Sequence, residues 1–341
     1  MKLNVSESTM RRLGRAFIPH ATSEPLAIAT GLGIRNEALL RRALGVPVNV
    51  GTMIGLETTA RRRRRREVAE AAQFHAISEK RPGTRRPVVN WHEGGQGPAL
   101  LLLNGFTASG LVWPESWLRR LEERYRVVRI DNRGTGWSRS APRPFTIGDL
   151  ADDVRDVLRA CGIDRAAVLG LSMGGMIAQE LAIRHGEVVE KLVLVGTRPP
   201  TPAHIAPDSA AYFLLMQQPS PGRDLREFLT ETWGQTVGDG FATDHPDIFA
   251  EIADQLLRRV TPRSAVVDQA RAIAAWHGAA RLRRLRVPTT VVHGNRDRLM
   301  PVGNGMLLAR LLPNATYVEL AGVGHLVPHE AGDILLQALD V

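Results

Sequence analysis

The stretch that most constrains this chain runs from Ala166 to Gly175, AAVLGLSMGG. It is a short apolar run, then the turn Gly170-Leu171-Ser172-Met173-Gly174, then an apolar-periodic stretch from Met176 to Ile183. An apolar strand, a G-x-S-x-G turn and a helix, in that order, form the setting in which this motif carries chemical meaning. So tight a turn forces Ser172 into a strained backbone conformation, and a Cβ at 170 or 174 would collide with its surroundings; glycine removes it. The serine oxygen is then left standing clear of the backbone. The N–H of Met173 opens the next helix, has no partner within it and carries part of the positive end of its dipole. A nucleophile and half of an anion trap thus arrive together. Gly/Ser-rich strand-to-helix turns also occur for purely structural reasons, so the turn alone leaves both readings open.

At 341 residues, with 44% apolar and 23% charged residues, the chain can hold one large α/β domain with an appendage, or two modest domains. The lone Cys161 excludes an internal disulfide and reads as an inert thiol at the buried end of a helix. No apolar signal segment is visible at the N-terminus, and the longest apolar stretch, 43–56, is too short for a bilayer and is interrupted by Asn49 and Thr52. A cytoplasmic protein without a transmembrane segment is the expectation. The formal net charge of +9 is unevenly spread: residues 1–86 carry 17 Lys and Arg against 7 Asp and Glu, and the rest of the chain carries 27 against 28.

Residues 1–86 read as a basic, mainly helical N-terminal extension. Helical segments are expected at 7–17, 36–44 and 57–77, between Gly and Pro breaks. Arg61 to Arg66 would wrap all faces of the third segment, so they form no one-sided stripe. A solvated helix that tethers or docks on the body, contact with itself, a partner or an anionic membrane surface, and nucleic-acid binding are the alternatives. Nucleic acid is not expected, because interleaved aromatics and any named nucleic-acid module are missing.

From residue 87 the pattern changes to alternating elements. Strands are predicted at 88–91, 99–103, 127–130, 166–169, 191–195, 289–293 and 316–320. Helices are predicted at 114–123, 147–161, 173–185, 302–312 and 326–339. This alternation specifies a doubly wound, mostly parallel sheet. Strands stop for about 80 residues after 197, and the stretch at about 198–280 reads as a helical cap inserted over the carboxyl ends of the strands. The expected domains are therefore 1–86 and 87–341.

A serine hydroxyl is inert at neutral pH without a base, and the base needs orienting. His293-Gly-Asn-Arg-Asp297 and Gly322-Val-Gly-His325 both lie in loops that follow strands, and such loops converge on one crevice in an open α/β sheet. Ser172, Asp297 and His325 therefore share a rim, in the chain order expected of this architecture. His293 is the competing base, although its strand-terminal place suits a buried turn-fixing histidine. His329, one helical turn after His325, reads as surface or structural. The loop Asn104-Gly105-Phe106-Thr107 offers the Phe106 N–H as the donor to match that of Met173.

Together LLLLNGF, DNRGTGWS (Asp131–Ser138), GLSMGG (Gly170–Gly175), HGNRD (His293–Asp297) and GVGH (Gly322–His325) resemble the α/β-hydrolase superfamily, and within it the esterase, lactonase and perhydrolase-like members with a helical cap. The resemblance covers residues 88–341. It implies Ser172 as nucleophile, His325 as base, Asp297 as orienting acid, the Phe106 and Met173 N–H groups as oxyanion hole, and a structural role for Asp131–Ser138. Asn104-Gly105 departs from the His-Gly that many members carry, and Asn can anchor the loop by hydrogen bonds. Serine at 172 excludes the alkyl-carboxylate chemistry of relatives that attack with Asp.

The expected function is a serine hydrolase acting on a carboxylic ester or lactone of a small, largely apolar substrate, with no metal or organic cofactor. Trp113 and Trp233 are expected to contact that substrate, among cap aromatics and aliphatics that include Tyr212, Phe213, Leu214, Leu215 and Met216. C–C bond hydrolysis, perhydrolysis or acyl transfer by the same triad, and a non-catalytic ligand receptor, are the alternatives.

Overall fold

The computed structural model describes residues 88–340, apart from 140, 208–209, 211–216 and 218–221. The expectations for residues 1–86, and those for Tyr212, Phe213, Leu214, Leu215 and Met216, lie outside the described residues. The elements are β1 (Trp91–Gly94), β2 (Ala99–Leu103), α1 (Glu115–Glu122), β3 (Arg126–Ile130), α2 (Ile147–Cys161), β4 (Ala166–Leu171), α3 (Met173–Arg184) and β5 (Val189–Val195). After them come α4 (Leu225–Gly234), α5 (Phe241–Asp244), α6 (Pro246–Arg258), α7 (Arg263–Ala275), β6 (Thr289–Gly294), α8 (Gly303–Leu311), β7 (Ala315–Leu320), α9 (Val327–Glu330) and α10 (Gly332–Asp340).

The strands form one sheet in the order β1-β3-β2-β4-β5-β6-β7, with β1 antiparallel to β3 and every other pair parallel. Central strands of such a sheet are covered on both faces and so read as unbroken apolar runs. All six residues of β4 are buried. Alternate residues of β2 divide between the faces: Leu101 and Leu103 pack with Val154 and Ile177, and Leu100 and Leu102 pack with Trp117 and Leu335. Helix α2 shows how the sequence sets its own limits. Thr146 accepts from the Asp149 N–H (3.1 Å) while the Asp149 carboxylate accepts from the Thr146 N–H (2.7 Å), closing a capping box. Its buried apolar residues Ile147, Leu150, Ala151, Val154, Val157, Leu158 and Cys161 fall on one helical face, and Gly162, in the left-handed conformation, ends it.

Two elements differ from the sequence expectation by more than one or two residues at their ends. The first strand starts at Trp91 rather than Val88, because the Asn90 N–H and side chain donate to Ser138 Oγ (2.8 Å) and the Trp137 carbonyl (2.6 Å) and so leave the ladder. The expected helix 326–339 is broken at Ala331, where ψ is 41°. There Trp117 Nε1–H donates to the Gly332 carbonyl (3.0 Å), and the indole occupies the place that a Cβ on Gly332 would take.

Between β5 and β6 the described residues contain no strand. Helices α4 to α7 occupy this stretch, and Phe249 and Ile252 of α6 form an apolar cluster with Ala108, Val112 and Leu326 from the loops after β2 and β7. The cap is thereby seated on the carboxyl ends of the strands. Among the described residues no helix is long and apolar enough to cross a membrane.

Candidate active site

Strand β4 delivers Ser172 at its carboxyl end, in the first residue after the sheet. Ser172 has φ 57° and ψ −118°, one of two non-glycine residues with positive φ among those described. Such a conformation costs about 1–3 kcal/mol and persists only where the surroundings enforce it. Here they do. The Ser172 N–H donates to the Val195 carbonyl (2.9 Å), and Thr197 Oγ1–H donates to the Ser172 carbonyl (2.7 Å). The flanking glycines are obligatory: a Cβ on Gly170 would stand 2.5 Å from the Gly174 carbonyl oxygen, and one on Gly174 would stand 1.9 Å from that of Leu103. Met173 is the first residue of α3, which aims that helix's N-terminus at the space beside the serine.

Strands β6 and β7 are parallel neighbours, with Gly294 opposite Leu320, so the loops that follow them lie side by side. Asp297 comes from the first loop and His325 from the second. His325 Nδ1–H donates to Asp297 Oδ2 at 2.7 Å, and Asp297 Oδ1 accepts from the N–H groups of Leu299 (2.9 Å) and Met300 (2.8 Å). Both side chains are buried. The carboxylate is thus held in place by the backbone, and it fixes the imidazole tautomer with Nε2 as the acceptor. The loop that carries His325 is held in turn: the His325 N–H donates to the Thr236 carbonyl of the cap (2.7 Å). Glu330 accepts from Gly324 (2.8 Å), Leu326 (3.0 Å) and Gly238 (2.7 Å), bracketing the histidine on both sides. Burial pushes the Glu330 carboxyl above its ordinary range, against the pull of those three backbone donors.

His293 occupies a different place. It is fully buried, donates through Nε2 to the Met300 carbonyl (2.6 Å), and burial pushes its pKa below the usual value despite Asp297 nearby. It supports the loop that carries Asp297 and is absent from the cavity wall.

The loop after β2 is knitted by Asn104. Its Oδ1 accepts from the Gly105 N–H (2.8 Å), and its Nδ2 donates to the carbonyls of Ser109 (3.1 Å) and Val112 (2.6 Å). An amide can therefore hold this loop without a histidine. Thr107, the residue after Phe106, has φ 62° and is pinned from the cap on both sides. Its N–H donates to Gln269 Oε1 (2.8 Å), and its carbonyl accepts from Thr261 Oγ1 (2.7 Å). Gln269 is fully buried and also donates to the Arg133 carbonyl (3.3 Å). Asp131 accepts from the N–H groups of Gly110 (2.7 Å) and Trp137 (2.8 Å), which ties the Asp131–Ser138 segment behind this loop.

Ser172, His325, Phe106 and Asn104 line one cavity of about 400 Å³, roofed by Trp233, Ile252 and Ile273 of the cap. Its wall is largely apolar, with Arg198, His204 and His329 as its other polar members. Trp233 therefore reaches the cavity. Trp113 does not: it is 0% exposed, stacked on Trp117 with centroids 5.7 Å apart in the core beneath α1. The expectation that Trp113 touches substrate is corrected accordingly, since its side chain fills the space between α1 and the sheet. His329 lies on the cavity wall, and burial pushes its pKa down to about 4, which keeps it neutral. Among the described residues, no group of three His, Cys, Asp or Glu side chains is arranged to hold a metal ion. Nothing in the sequence marks Arg198, Gln269 or Glu330, because none belongs to a motif and each gains its role only from the way cap and loops pack.

A family model described as alpha/beta hydrolase fold matches residues 98–331. The chain belongs to the α/β-hydrolase family. As a member of that family it is a hydrolase. A Caulobacter segnis relative, provisionally named carbamate hydrolase RutD, is 30% identical over 250 residues, which are 70% of this chain and 88% of the relative. Among solved structures, the esterase RhEst1 from Rhodococcus sp. ECU1013 superimposes with a TM-score of 0.63 at 26% identity, covering 74% of this hydrolase and 93% of that chain. The enol-lactonase from Burkholderia xenovorans LB400 also gives 0.63, at 24% identity, covering 74% and 94%.

Proposed function

We propose that this hydrolase cleaves carboxylic esters or lactones through a Ser172-His325-Asp297 triad and an acyl-enzyme. The observation that carries the reading is the state of the histidine. Asp297 occupies Nδ1, and its own second oxygen is saturated by two backbone donors, so the imidazole is fixed as a base whose remaining nitrogen serves a cavity that Ser172 also lines.

In the proposed reaction, Ser172 Oγ attacks the acyl carbonyl carbon as its proton passes to His325 Nε2. The oxyanion is received by the N–H groups of Phe106 and Met173. Collapse breaks the bond to the leaving oxygen, which takes the proton from His325. For an ester the alcohol departs; for a lactone it stays tethered to the acyl group. Water then attacks the acyl-enzyme, giving its proton to the same histidine, and the serine is regenerated with release of the acid. The dipole of α3 and the donors beside it act in a largely apolar surrounding, where they are worth more than in water. The name of the esterase neighbour, at 26% identity, supports an ester as the substrate.

The test is a panel of p-nitrophenyl esters and simple lactones with wild type and Ser172→Ala. Turnover of at least one ester or lactone, lost in the variant, is expected. Turnover surviving Ser172→Ala would refute the assignment.

A further inference from the structure

Arg198 lies three residues beyond the end of β5, is 5% exposed and lines the same cavity as Ser172 and His325. Among the described residues, its guanidinium is held by neutral groups. It donates to the carbonyls of Pro199 (3.1 Å) and Ile273 (2.8 Å) and lies over the Trp276 ring, 5.5 Å from its centroid. Burial lowers its pKa without removing the charge. Among the described residues lining the cavity there is no Asp or Glu, and His329 there is neutral. A buried cation without a counter-ion is unfavourable, and a ligand that supplied the missing charge would relieve that cost. The planar fork also suits a carboxylate in a way that an ammonium does not.

We infer that the substrate carries a carboxylate as well as the scissile ester or lactone, and that Arg198 binds it. The apolar walls would then receive the chain between the two groups. This rests on the esterase reading above. The competing role for Arg198 is a structural clamp, tying the loop after β5 to the Ile273 carbonyl near the end of α7. A clamp would serve all substrates alike.

The experiment compares mono-p-nitrophenyl glutarate and adipate with p-nitrophenyl pentanoate and hexanoate, which match them in chain length but lack the carboxylate. Wild type, Arg198→Gln and Arg198→Lys are assayed in parallel. Wild type is expected to prefer a carboxylated ester in kcat/KM. Arg198→Gln should lose about ten- to hundredfold on that ester, mainly in KM, and less than about threefold on its neutral counterpart. Arg198→Lys should recover part of the loss. Equal losses on both classes, or no preference by wild type at either length, would overturn the inference. Should Arg198→Gln fail to fold, the wild type still decides: glutarate or adipate should inhibit hydrolysis of the neutral ester competitively, and no inhibition overturns the idea. Neutral esters cleaved without any carboxylate preference would sink this inference and leave the esterase reading intact. Dicarboxylate binding seen by calorimetry, with no ester cleaved, would do the reverse.

Discussion

Gln269 provides a test of whether the cap positions the catalytic loop or merely covers it. Its side chain is fully buried on α7, and its Oε1 accepts from the Thr107 N–H at 2.8 Å, one residue past the proposed oxyanion donor Phe106. Gln269→Met keeps the volume and removes the acceptor. A buried N–H left without a partner costs about 1–3 kcal/mol. For a body of this size each kcal/mol lowers Tm by roughly 2–4 °C, so a fall of several degrees is expected. The same change frees the left-handed backbone of Thr107, which among the described residues keeps the Thr261 hydroxyl as its remaining bond to the cap. Losing an oxyanion donor outright costs about 3–4 kcal/mol, and displacing one costs a part of that. A loss of about 1–2 kcal/mol corresponds to a kcat lower by roughly five- to thirtyfold, with KM for a neutral ester little changed. Stopped-assay kinetics and differential scanning calorimetry on the two proteins read both effects. A lower Tm with kcat unchanged would show that Gln269 holds the fold alone, and the coupling of cap to oxyanion loop would be refuted.

Three further outcomes follow from particular contacts. Asp297→Asn should lower kcat by about ten-thousandfold with the fold retained, because the imidazole loses the acceptor that fixes its tautomer; circular dichroism and ester kinetics check both halves. Glu330→Gln weakens the bonds from Gly238, Gly324 and Leu326, so both Tm and kcat should fall while KM holds, as measured by calorimetry and initial rates. His329 has a folded-state pKa of about 4 against an ordinary 6.5, so as pH falls the unfolded chain takes up the proton first. Its contribution is complete above about pH 6.5 and drains away down to about pH 4, by up to roughly 3 kcal/mol. In urea titrations between these limits His329→Leu should flatten that part of the stability curve, and an unchanged slope would contradict the assignment.

The parts of this molecule that could be read from letters are those governed by local physics. β2 and β4 declare themselves as unbroken apolar runs because both faces of the sheet are covered. The elbow declares itself because only glycine clears the Leu103 and Gly174 carbonyls. Asp297 and His325 could be placed together because parallel neighbouring strands must end side by side. What escaped depends on packing between distant segments. Trp113 precedes an amphipathic helix and could as well have faced the cavity as the core; contact with Trp117 and the sheet decides it. The break at Ala331 has no local signal strong enough to announce it, since an indole from α1 enters there. Arg198, His329, Gln269 and Glu330 are ordinary polar letters until the cap closes over them.

The central claim is that Ser172 is a nucleophile activated by His325. Incubation with a fluorophosphonate, followed by peptide mass spectrometry, measures it most directly. One adduct is expected, on the peptide that contains Ser172, absent in Ser172→Ala and formed far more slowly in His325→Ala. An adduct elsewhere, or labelling that persists in Ser172→Ala, would contradict the claim.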